Sequence, residues 1–355
     1  MNHLNRVQQR IDNIDGLLIS DIGNVRWISG FSGSSGWVIC TPDDAVFITD
    51  SRYDIQAHEQ VKTIPVTIYS SPTKPIEVIA QQLSRLGIKR LGIEATVVTM
   101  AVLEDWQKAF SGIELVPVKG VIEPVRMVKS PEEVALIKRA CGLTDACYEH
   151  VLRMIQPGVS EWDLMLEIEF YVRRSGAQNA FPPIAVSGPN SARPHGTATE
   201  RKFENGDFVT MDFGAKLDGY CADLTRTVVV GEATPRHVEI YEQVLKANVE
   251  CINFMKPGIP CRDVDALARR ILDEKGLAQY FGHGLGHGLG RDVHDYGSLS
   301  ARSEDNLEPG QVWTVEPGVY IEGFGGVRVE DDVVVIENGV EVLTHCNKSL
   351  TVLPR

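Results

Sequence analysis

The chain has 355 residues, 43% hydrophobic and 23% charged, which suits two domains at about 100–200 residues each. A net charge of −13 argues against a general affinity for nucleic acid or anionic lipid, and no apolar run reaches the roughly 18 residues of a membrane span. The polar start is unlike a signal peptide, and seven cysteines without a C-x-x-C pair fit free thiols in a reducing cytoplasm.

In chain order, apolar runs bounded by Gly, Pro and Asp predict strands at Gly16–Ser20, Gly36–Cys40 and Ala45–Thr49. Helical spacing predicts a helix over Pro75–Leu86, ended by Gly87. A strand at Leu91–Glu94, a helix at Met100–Phe110 and a strand at Leu115–Val118 follow. This alternation predicts an α/β domain over residues 1–122. Beyond the boundary, Ser130-Pro131-Glu132-Glu133 is a strong helix start, with Ser as N-cap and acids in the first turn. Val134, Ile137, Cys141, Thr144, Tyr148 and Val151 mark one side of that helix, and Ser160 with Asp163 opens the next.

Residues 123–355 carry an internal repeat. Pro157-Gly158-Val159 with Asp163 recurs as Pro257-Gly258-Ile259 with Asp263. The run Gly206–Gly214 matches Gly310–Gly318 in type and order. Asp223 precedes Val228–Val230 as Glu330 precedes Val333–Val335. Three matches in one order predict two related halves, each helix–helix–strand–strand, with one acid on each of two strands.

Asp212 lies in the run Phe208–Phe213 and Asp223 in Tyr220–Val230, with turn residues Leu217-Asp218-Gly219 between. A loop at Leu217-Asp218 puts Asp212 opposite Asp223; one at Asp218-Gly219 puts it opposite Thr225. Both registers leave the two acids on one face. In the second half, Glu316 ends the strand Val312–Val315 and Glu330 lies in Gly326–Ile336. The segment Gly282–Gly290 adds two histidines on glycine-rich backbone. Four carboxylates and an imidazole form a hard ligand set for two divalent ions, Mn2+ first, with Co2+, Fe2+ or Zn2+ as alternatives. Such a pair activates water at neutral pH and polarises an acyl oxygen. Dinucleotide, P-loop, nucleophile-elbow, zincin and EF-hand motifs do not occur.

With Met211–Thr227, Gly282–Asp295 and Thr314–Asp332 in view, the chain resembles the metal-dependent Xaa-Pro peptidases of the creatinase and methionine aminopeptidase superfamily. The resemblance implies an α/β N-terminal domain over 1–122 and an α+β "pita-bread" catalytic domain over 123–355. It maps the metal ligands onto Asp212, Asp223, His287, Glu316 and Glu330, with Asp223 and Glu330 bridging. His195 and His294 fall on substrate-side histidines and His283 on a further active-site histidine. Arg328, two residues before Glu330, is placed to orient a ligand carboxylate. The implied reaction is hydrolysis of the bond before proline, with Glu316 relaying a proton and His294 or His195 stabilising the oxyanion. Xaa-Pro aminopeptidase is the leading activity, Xaa-Pro dipeptidase (prolidase) the alternative, and a non-catalytic peptide-binding scaffold the remoter one. A proline-containing peptide is the expected partner, and a cytoplasmic homodimer the expected state.

Overall fold

Side-chain caps set the helices of the N-terminal unit. In the computed structural model, which describes residues 3–354, Asp21 Oδ1 accepts from Asn24 N at 2.8 Å and starts the helix Ile22–Ser29. Gly30, at φ 75°, ends it. Pro75 begins the helix Pro75–Arg85 and Thr99 caps Met100–Ala109. Six strands form one mixed sheet in the order Val66–Tyr69, Ala45–Asp50, Trp37–Cys40, Gly16–Ile19, Arg90–Glu94, Glu114–Val118. Alternation serves both faces. Leu17, Ile19, Val38 and Phe47 pack on one side, and Leu18, Ile39, Ile48 and Leu91 on the other. The expected strands and helices are present to within a residue or two. The helices Ile22–Ser29 and Asp54–Gln60 and the strand Val66–Tyr69 join them.

This unit ends at Arg126 and a second begins at Met127. The second unit is built twice over. The helices Pro131–Val151 and Glu161–Arg174 pack on the sheet ordered Thr351–Leu353, Leu224–Val230, Phe208–Phe213, Ile184–Ser187. The helices Pro235–Phe254 and Cys261–Asp273 pack on the sheet ordered Asp295–Leu299, Gly286–Gly288, Val312–Val315, Asp331–Ile336, Gly339–Val342. Ile137, Cys141, Thr144, Tyr148 and Val151 are buried as their spacing predicts, while Val134 is half-buried.

Backbone bonds repeat a hundred or so residues apart. Gly158 N donates to Phe203 O and Gly258 N to Leu307 O; Gly206 N donates to Val230 O and Gly310 N to Val335 O. The internal pseudo-two-fold repeat is therefore structural as well as sequential.

The register between the first pair of acid-bearing strands is the one with Asp212 opposite Thr225. Asp218 and Gly219 form the two-residue turn, at φ 50° and 85°.

The acids Asp223 and Glu330 depart from their expected positions within strands. Asp223 falls between the strands Tyr220–Cys221 and Leu224–Val230, and Glu330 between Gly325–Arg328 and Asp331–Ile336. At both breaks the backbone turns to the opposite half. Asp223 N donates to Asp332 Oδ2 at 2.9 Å, and Glu330 N donates to Thr225 O at 3.1 Å. Arg226 completes the stitch, donating to Asp331 Oδ1 at 2.8 Å and to Glu330 O, with both charged side chains 1% exposed. All seven cysteines are free and buried, and no helix among the described residues is long and apolar enough to cross a membrane.

Candidate metal centre

The two strand breaks bring their acids to one cavity of about 620 Å3 in the second unit. Asp212, Asp223, His287, Glu316 and Glu330 all line it, as do His195, His283, His294 and Arg328. Phe181, Pro182, Pro183 and Ile184 form an apolar wall. One ligand atom from each of Asp223, His287 and Glu330 lies within 4.8 Å of the others.

Hydrogen bonds fix which atoms face inward. His287 Nδ1 lies 3.1 Å from Gly288 O, and a carbonyl can only accept, so Nδ1 carries the proton. The lone pair on Nε2 then faces Asp223 Oδ2 at 3.6 Å and Glu316 Oε1 at 3.5 Å. Acceptor facing acceptor is repulsive unless a cation lies between them. Asp212 Oδ1 and Asp223 Oδ1 are buried without a hydrogen-bond partner among the described residues. The donor set therefore fits divalent cations.

Electrostatics point the same way. Burial first, then Glu330 and Asp212, push the Asp223 carboxyl well above the usual range. Burial, then Glu316 and Asp212, do the same to Glu330, and burial lifts Glu316 to about 8. Burial and the neighbouring His294 lower His287 to about 4, which keeps the ring neutral and able to ligate.

Supporting residues hold these groups in place. Thr225 Oγ1 donates to Glu330 Oε2 at 2.6 Å and accepts from Arg328 Nε at 3.0 Å. Thr314 Oγ1 accepts from His287 N at 3.0 Å and donates to Glu316 Oε1 at 3.2 Å. Arg328 donates to Asp212 Oδ2 and, at 2.6 Å, to the Tyr320 hydroxyl.

The histidines differ in what they offer. His283 has both ring nitrogens engaged, with Gly284 O at 2.8 Å and Tyr320 OH at 2.9 Å. Burial and then Arg328 lower it to about 4, and its Nε2 lies against the Tyr320 hydroxyl. The His294 ring packs against His287 at 4.3 Å between centroids, tilted by 57°, and His195 stands in a separate loop. The sequence assigns no site role to Thr225, Thr314 or Tyr320. The repeat carried a signal for one of them, since Thr314 stands two residues before Glu316 as Thr210 does before Asp212.

The chain matches the model of metallopeptidase family M24 over residues 135–337 and that of the creatinase/prolidase N-terminal domain over residues 4–128. It is 43% identical to the uncharacterized peptidase YqhT of Bacillus subtilis (strain 168), over 96% of each chain. Among solved structures it is similar to an Xaa-Pro dipeptidase from Bacillus anthracis, with a TM-score of 0.96 and 41% identity over 99% of each chain. It is also similar to an X-Pro aminopeptidase from Thermotoga maritima MSB8, with a TM-score of 0.91 and 34% identity over 98% of this chain and 99% of that one. With two buried halves meeting around a carboxylate–imidazole cluster, and with these matches, the chain belongs to metallopeptidase family M24, its catalytic domain preceded by a creatinase/prolidase N-terminal domain.

Proposed function

We propose that the protein is an Xaa-Pro aminopeptidase, releasing the N-terminal residue from peptides with proline second. Asp212, Asp223, His287, Glu316 and Glu330 would hold two divalent cations, Mn2+ first, with Co2+, Fe2+ or Zn2+ as alternatives. Four carboxylates then balance four positive charges. The observation that carries this reading is the neutral His287 Nε2 facing two carboxylates beside unpartnered buried oxygens. When bound, such ions supply activated water and polarise the acyl oxygen.

The chain's own residues do the rest. The apolar wall of Phe181, Pro182 and Pro183 suits a proline ring. His294 or His195 stabilises the negative charge that develops on the carbonyl oxygen before proline. Glu316 takes a proton and passes it to the departing proline nitrogen, and the free α-amine binds beside Asp212. A dedicated site suits this bond because proline has no N–H to donate and restricts the residue before it.

The choice of aminopeptidase over dipeptidase rests on charge. A dipeptide presents a carboxylate immediately after proline. Among the described residues lining the cavity Arg328 is the one arginine, and it is committed to Asp212. Free, buried thiols suit a cytoplasmic setting, and the homodimer rests on the family resemblance, with light scattering as its check.

Metal analysis combined with hydrolysis of Xaa-Pro and Xaa-Pro-Yaa peptides tests the whole reading. Cleavage of the longer peptides supports it, and cleavage of dipeptides alone makes the protein a prolidase. Metal-loaded protein that cleaves neither is a peptide-binding scaffold.

A further inference from the structure

Glu161, on the first turn of the helix Glu161–Arg174, is fully buried, yet it is no part of the carboxylate cluster. Its two oxygens accept five hydrogen bonds. Ser187 N and Oγ donate to Oε1 at 2.6 and 2.8 Å, while Asn190 Nδ2, Thr199 N and Thr199 Oγ1 donate to Oε2 at 2.9, 2.9 and 2.7 Å. Those donors sit at both ends of the segment 187–199, whose middle brings Pro194, His195, Gly196 and Thr197 to the cavity. One carboxylate thus clamps the two ends of the loop that carries His195. Asn190 closes it from within, donating also to Thr197 O at 3.2 Å.

The internal repeat shows that helix initiation alone does not require this carboxylate. Cys261 occupies the equivalent place in the second half. Its N donates to Asp305 O at 3.0 Å, as Glu161 N donates to Arg201 O at 3.0 Å. The two backbones agree, but only the first half has a buried acid there. A buried carboxylate is costly unless its lone pairs are satisfied, and here the loop supplies every donor.

We infer that Glu161 is a positioning residue for His195, fixing the imidazole against the cavity through the loop it clamps. The inference rests on the role given to His195 in the proposed peptidase activity.

Glu161→Gln keeps the volume but turns an NH2 toward backbone or hydroxyl donors. A double-mutant cycle with His195→Ala on the metal-loaded, full-length protein separates positioning from plain stability. Assays run well below each variant's melting temperature, so the folded fraction is equal. Glu161→Gln is expected to lower kcat/KM on an Xaa-Pro peptide about 10–100-fold, with metal content per chain unchanged. In the His195→Ala background the same substitution should change kcat/KM by less than about two-fold. Multiplicative losses, or an unaffected Glu161→Gln enzyme, would overturn the inference. So would a loss in Glu161→Gln beside a fully active His195→Ala, which leaves the peptidase reading standing. A wild-type protein that cleaves no Xaa-Pro peptide sinks both. Should Glu161→Gln fail to fold, Asn190→Ala, which removes one arm of the clamp, must show the same non-additivity, and additive losses there overturn the proposal.

Discussion

Arg328 holds one oxygen of Asp212 and leaves the other buried with no hydrogen-bond partner among the described residues. The same guanidinium reaches Thr225, which in turn holds Glu330, and Tyr320, which holds His283. One cation therefore aims a carboxylate from each half of the domain. Arg328→Met keeps much of the stem but frees Asp212 and removes the donor to Thr225. We expect kcat/KM to fall about 10–100-fold together with a loss of bound metal, measured by turnover and metal analysis on the same sample. Full metal content with full activity would deny Arg328 this aiming role.

Metal should also hold the domain together. The acids and the neutral His287 face one another in a buried space, an arrangement that favours any state able to bind cations. Chelated protein should melt lower than the metal-loaded form, and the melting temperature should climb as Mn2+ is returned. At a free ion concentration of 100 Kd the gain is about 2.7 kcal/mol per site. Calorimetry against ion concentration measures it, and a melting temperature indifferent to Mn2+ contradicts the fit.

Close backbone approach, rather than turn geometry, explains the glycines around His287. A Cβ on Gly286 would lie 2.0 Å from Thr314 O, and one on Gly288 would lie 2.0 Å from Tyr296 O. Both obstacles are main chain and cannot swing aside. Gly286→Ala should push the strand Gly286–Gly288 away from Val312–Val315, costing about 1–3 kcal/mol in urea unfolding. It should also weaken metal binding by displacing His287. An alanine variant with wild-type stability would mean that the sheet yields more readily than its packing indicates.

A pH response is expected away from the metal centre. Thr234 N donates to His237 Nδ1 at 3.0 Å, closing the start of the helix Pro235–Phe254, and the ring packs between Phe208 and Phe324. Burial, partly offset by Asp207, holds His237 below its ordinary value of 6.5. Protonation thus favours the unfolded chain. The contribution is complete above pH 6.5 and declines as pH falls from there toward the lower folded value. His237→Gln keeps an acceptor for Thr234 N and removes the titration. The variant's denaturation midpoint should drop less than the wild type's between pH 7.5 and 5.5, and equal drops would deny His237 this role.

The duplicated plan and the α/β first domain were legible because both rest on local patterns: alternation, capping and turn residues. The residues that failed to announce themselves act across long separations. The breaks at Asp223 and Glu330 arise from bonds to Asp332 and Thr225 in the opposite half, which no window around either acid contains. Both registers of the Asp212 strand were compatible with the sequence. The turn at Asp218-Gly219 decides between them, since its positive φ values suit those two residues better than Leu217. The helix Ile22–Ser29 escaped notice because Ile22, Gly23, Asn24 and Val25 are poor helix formers; its Asp21 cap and buried Val25, Trp27 and Ile28 override that preference. Nothing in the sequence around Glu161 sets it apart, and only the fold shows the loop wrapped around it.

Duplication with divided ligands has a kinetic corollary. Each lobe owns two of the four carboxylates, so a lone lobe would have to meet another lobe in solution before any ion could be enclosed. Carried on one polypeptide, the lobes find each other at a fixed effective concentration, and the centre assembles as readily in dilute protein as in concentrated.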